Sequence, residues 1–172
     1  SIITGDGFLR SIQIPLQSVF LASSGAALTT TLSTNPGQDM FDTNIAGLSW
    51  AAAKVVAAGI DIMIPKDYDE SEDYCKLVFR AKMAGSTNTP GIDATAYHED
   101  DGATDLDPTI SADLSDTLAD VKIDLSGNSF SAGDHVTVAP FPETHGTDAV
   151  QVYVISLEYR STLVYFDKDS AR

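Results

Sequence analysis

Short windows of alternating apolar and polar residues dominate this chain. Ile60, Ile62 and Ile64 share one face of a run that Pro65 ends. From Tyr74 to Met83, Cys75, Leu77, Phe79 and Ala81 take one face, and Lys76, Arg80 and Lys82 take the other with Val78. Ile92 to His98 reads as a weaker strand, and Asp120 to Leu125 alternates cleanly. A turn at Phe130–Asp134 leads into a strand at His135–Ala139. Ala149 to Tyr159 is the longest such run, and Ser161 to Phe166 is read as its extension after a bend. Residues 46–58 admit two readings. Their alanines suit a helix capped by Ser49 and stopped by Gly59, or a strand carrying Trp50 precedes another starting at Val55. The β context favours the strands. Seven to nine strands and no long amphipathic helix predict an all-β fold, an antiparallel β-sandwich.

The first 45 residues differ from the rest. They are rich in Ser, Thr, Gly, Ala and Gln and carry few large apolar side chains. Ser11–Leu16 alternates as a short edge strand before Pro15, and turn clusters follow at Ser23–Gly25 and Thr34–Gly37. One reading makes residues 1–45 an extended N-terminal arm that docks on a neighbour, with the sandwich in residues 46–172. Ile12, Ile14, Leu16, Val19 and Phe20 would then be its contacts. The other makes them strands of the main sheet.

Charge sharpens this division. The 172 residues carry a net charge of -15, from 25 acidic and 10 basic side chains. Residues 61–130 hold sixteen acids and five bases, whereas residues 1–60 hold three and two. Such acidity argues against binding nucleic acid or an anionic membrane, both of which need basic patches. No apolar run reaches membrane-spanning length, and the N-terminal stretch does not read as a signal peptide. A start at Ser1 is expected of a cytoplasmically made chain whose initiator Met was removed. Cys75 is the single cysteine, so no intrachain disulfide and no Cys-based zinc site can form.

Candidate chemistry is sparse. Two acidic turns offer hard oxygen ligands: Asp67, Asp69 and Asp73 in one, and Asp100, Asp105 and Asp107 in the other. Calcium is the cation such groups would suit, although neither run has EF-hand spacing; no other cofactor is expected. The opposing reading is that both turns are simply solvated. His98 beside Glu99 could form an acid–base pair, but the three histidines show no metal spacing. Gly47-Leu48-Ser49-Trp50-Ala51 misses the nucleophile-elbow pattern at its last position. No enzymatic activity is expected, and a carboxylate-based hydrolase ranks last. Sugar binding needs exposed rings, for which Tyr68, Phe141, Tyr97 and Trp50 are candidates. Phe141, between Pro140 and Pro142, is expected on a loop; Tyr68 is the second platform.

The order of several segments resembles small jelly-roll proteins of tailed-bacteriophage virions, notably capsid decoration (cement) and head-fibre proteins. Ile12-Gln13-Ile14-Pro15-Leu16, the Leu48-Ser49-Trp50 strand, Ile64-Pro65-Lys66-Asp67-Tyr68, Ser131-Ala132-Gly133-Asp134 and the closing Ser156-Leu157-Glu158-Tyr159 carry the likeness. It spans most of residues 11–160, and its turn motifs are shared by many β proteins. The acidic stretch 99–124 departs from it. The resemblance implies a jelly-roll winding and a structural role on the capsid surface of a virion assembled in a host cytoplasm. It also implies a homotrimer contacting the major capsid protein or neighbouring virion subunits. The alternative is a carbohydrate- or receptor-binding module on a tail or capsid spike, with or without calcium.

Overall fold

A computed structural model of the chain describes residues 8–163. Within them the fold is all-β. The strands are β1 (Phe8–Ile14), β2 (Phe20–Leu21), β3 (Gly37–Phe41), β4 (Ile45–Trp50), β5 (Ala58–Met63), β6 (Cys75–Met83), β7 (Ile92–His98), β8 (Thr109–Ile110), β9 (Ala119–Asp124), β10 (His135–Pro142) and β11 (Val150–Ser161). They form two antiparallel sheets. The larger runs β3-β4-β11-β6-β9-β8, with β1 also on β11; the smaller runs β2-β5-β10-β7. The chain changes sheet at most connections, and its last strand lies between β4 and β6, which is the jelly-roll winding.

Period-2 alternation builds the core. Leu77, Phe79 and Ala81 of β6 face Ile60 and Ile62 of β5 and Val136 and Val138 of β10, all buried. Trp50 is buried too, and its indole N–H donates to the carbonyl of Val56 at 2.8 Å. That bond ties the β4–β5 loop to the core. The strand reading of residues 46–58 holds for β4, while its second strand begins at Ala58, not Val55. Ala53 turns the intervening loop with φ of 63°, in the left-handed region.

Residues 8–45 do not stand apart as an arm. β1 is extended, but it pairs with β11 of its own sheet from Phe8↔Ser161 to Ile14↔Ile155. β2 joins the smaller sheet, and β3 pairs with β4. The expected boundary at residue 45 falls inside the β3–β4 hairpin. Val19, assigned to the arm's contact face, is a core residue, and Ile14 and Leu16 pack against the core. Phe20 is half-buried; of the five proposed contacts only Ile12 is well exposed, at 45%. Few large side chains suffice here because these strands add to two sheets whose other strands supply most of the core.

β10 runs through Pro140 and Pro142, so Phe141 lies on a strand and not on a loop. The pairing explains the tolerance. β5 pairs with β10 only over His135–Val138, so beyond Val138 β10 is bonded to β7 alone. The two prolines have the same parity and turn their nitrogens to the vacated side.

The connections segregate charge. The β5–β6 loop carries Asp67, Asp69, Glu70, Glu72 and Asp73, and the β7–β8 loop carries Glu99, Asp100, Asp101, Asp105 and Asp107. Both leave the same end of the sandwich, beside the β9–β10 turn: Ala132's amide donates to Glu70, and His98 meets Asp134. The β4–β5, β6–β7 and β10–β11 loops gather at the opposite end, where acids are few.

Candidate functional site: a groove at the loop end

At that second end a groove of about 750 Å³ opens between three loops. Val55 contributes from the β4–β5 loop, Thr87, Asn88, Thr89 and Pro90 from the β6–β7 loop, and Phe141 to Thr144 from the end of β10. Phe141 reaches it because β10 alternates: Val136, Val138, Pro140 and Pro142 point into the sandwich, and Phe141 points out. Its ring is half-buried and meets the groove beside Pro90 and Val55. The walls therefore combine one aromatic face and small apolar surfaces with hydroxyl, amide and carboxylate groups.

Two side chains lock the walls together. The carboxylate of Asp148 accepts the amides of Thr87 and Asn88 at 2.7 and 2.9 Å. The side-chain oxygen of Asn88 accepts the amides of Thr147 and Asp148 at 2.7 and 3.0 Å. This reciprocal exchange between residues 60 apart fixes the β6–β7 loop on the β10–β11 loop. His145, fully buried, does the same for the β4–β5 loop: its own carbonyl accepts the Ala53 amide at 2.7 Å. Sequence reading missed these locks. Nothing local in either loop announces a partner so far along the chain.

The residues singled out from sequence scatter. Tyr68 is a core side chain, 3% exposed, whose hydroxyl donates to Asp73; burial raises its pKa. It offers no face to a sugar, and neither does buried Trp50. Tyr97 is half-buried on β7 and shares the outer face of the smaller sheet with Phe141. The six aspartates expected as calcium ligands do not converge, and no cluster of three or more acid, His or Cys side chains suits a metal among the described residues. Four of the six carboxylates have hydrogen-bond partners instead. Asp67 accepts Arg10, Ser161 and Tyr159; Asp69 accepts the amide and hydroxyl of Ser71; Asp73 accepts Tyr68. Asp105 caps the Ala96 and Asp107 amides, Asp107 itself sits at φ 47°, and Asp100 is 90% exposed. Asp69 and Asp105 aim oxygens at backbone amides, and Asp67 and Asp73 take side-chain donors, which disperses the carboxylates.

His98 does form a pair, with Asp134 rather than Glu99. Its Nε2 lies 2.9 Å from Asp134, its Nδ1 accepts the Asp100 amide, and its ring stacks on Phe130 at 6.0 Å. The bond to Asp134 raises the pKa of His98. Burial pushes Asp134 up, but bonds from His98 and the Ser131 amide hold its carboxyl below the ordinary range. The pair pins the β9–β10 turn to β7. Cys75 is fully buried, and burial pushes its thiol up to about 12.

No protein-family model matches the chain, and no curated protein does. Among solved structures, TmCBM61 in complex with β-1,4-galactotriose is similar over 92% of this chain and 97% of that one, at a TM-score of 0.40 and 9% sequence identity.

Proposed function

We propose that this chain is a carbohydrate-binding β-sandwich whose ligand lies in the loop-end groove. The observation that carries this reading is Phe141, an aromatic ring on a rigid strand facing a polar-walled groove of about 750 Å³. Sugars present apolar C–H faces and peripheral hydroxyls. Phe141, Pro90 and Val55 suit the first, and Thr87, Asn88, Thr89, Glu143 and Thr144 suit the second. The locks at Asn88–Asp148 hold the walls before a ligand arrives, which lowers the ordering cost of binding. The test is a glycan array followed by titration calorimetry on the best hit. Phe141→Ala should weaken that binding by about tenfold or more, with an unchanged melting temperature. An array without hits, or a Phe141→Ala protein that binds as tightly, would overturn the reading.

A second reading is that the chain is a structural virion protein that decorates a phage capsid. One observation favours it: β1 exposes Leu9 (49%) and Ile12 (45%) on an edge of the larger sheet, in the stretch poorest in charge. Apolar side chains on a long edge strand suit docking by strand addition. Imaging of intact particles tests this, together with a Leu9→Lys/Ile12→Lys protein that should no longer join the shell. Undiminished incorporation of that variant would remove this reading.

A further inference from the structure

His145 is fully buried between two loops, and both ring nitrogens face backbone carbonyls. Nδ1 lies 2.8 Å from the oxygen of Glu143 and Nε2 lies 3.1 Å from the oxygen of Ala51. A carbonyl can only accept, and a neutral imidazole carries a single N–H. Both contacts are hydrogen bonds only when the ring is an imidazolium. In the neutral ring one nitrogen keeps its proton, and the other sets a lone pair against a carbonyl oxygen. The longer contact, to Ala51, is the one that gives way.

We infer that His145 is the positioning residue of the groove, and that its imidazolium form clamps the β4–β5 loop, with Val55, against the β10–β11 loop. This rests on the groove being the binding site. The clamp has two points: the ring reaches Ala51, and the His145 carbonyl accepts the Ala53 amide. Losing the first leaves the loop held by the Ala53–His145 and Trp50–Val56 bonds, the Ala22–Ala57 bond and its own turn. Charged neighbours are few. Glu143 and Asp148 lie on the histidine's own loop, and Lys54 lies on the loop it clamps. Residues 84–91 and β4 carry no titratable side chain. The ligand-competent groove therefore belongs to the imidazolium form and loosens when the ring gives up its second proton.

Nitrogen NMR of the whole chain, from about pH 5 to about pH 8, tests this without any ligand. Below the midpoint both His145 nitrogens should carry protons. Above it the protection factor of the Ala53 amide should fall about two- to tenfold, the worth of one hydrogen bond, and the Val55 methyl signals should shift with the same midpoint. His98→Asn, at the opposite end, should leave both responses intact, and His145→Gln should abolish them. A neutral ring with one tautomer throughout, or Ala53 and Val55 signals indifferent to pH, would overturn the clamp. Failure of the glycan array alone would overturn the carbohydrate reading and leave these signals as they are.

Discussion

At the residue scale, Asp67 has the most partners in the acidic turns. It accepts Arg10 Nη1 at 2.6 Å and Ser161 Oγ at 2.7 Å on one oxygen, and the Tyr159 hydroxyl at 3.0 Å on the other. It thereby joins β1, β11 and the β5–β6 loop. The Ser161 hydroxyl holds its carboxyl below the ordinary range against the opposing effect of burial, and Arg10 and Tyr159 add to this. A depressed carboxylate pKa contributes stability above its unfolded value, and that contribution is lost as pH falls through the folded value. Asp67→Asn should cost about 1–3 kcal/mol by urea denaturation near neutral pH. The gap between variant and parent should narrow in acid. A gap that widens there would assign the stabilisation to something other than the carboxylate. The Asp67 position in an acidic turn was legible in the sequence. Its partners were not, because Ser161 and Arg10 are 94 and 57 residues away.

At the element scale, the strands that alternate cleanly were legible: β5, β6, β7, β9 and β11 lie within a few residues of where the pattern put them. Two kinds of element were not. β10 continues through two prolines because one of its edges is vacant there, a fact that resides in β5. The N-terminal strands look too poor in apolar residues to belong to a core, yet Val19, Leu28 and Phe41 are buried and β1 rests on β11. That pairing is set by a strand at the far end of the chain. Deleting residues 1–45 should therefore leave no cooperative unfolding transition, since it removes three strands and those core side chains. Deleting residues 1–14 removes β1, a strand with one partner, and should lower the melting temperature while keeping a single transition. Thermal melts followed by circular dichroism decide this. A Δ1–45 protein that melts cooperatively near the parent would restore the separate arm.

At the scale of the whole molecule, the sandwich separates its charge from its groove. The loops at one end hold ten carboxylates, relieved within them by Lys66 alone, while the groove's loops at the other end hold few. Two opposing electrostatic effects follow. Exposed like charges on neighbouring loops repel, and salt relieves that repulsion. The ion pairs Lys76–Asp124 at 2.9 Å and Lys122–Glu158 at 2.8 Å attract, and salt weakens them. Those pairs are largely shielded on the outer face of the larger sheet, and partly buried pairs are screened less than exposed ones. Repulsion should dominate the response, so raising sodium chloride from about 10 mM to about 300 mM, which shortens the screening length severalfold, should raise the melting temperature. An uncharged sugar in the groove, at the far end from the carboxylates, should bind with an affinity that changes less than about twofold over the same range. A docking partner recognising the acidic loops would instead lose affinity steeply with salt. Melts and binding isotherms across one salt series thus separate the two ends: a falling melting temperature would show that the pairs outweigh the loops, and strongly salt-dependent sugar binding would move the site out of the groove.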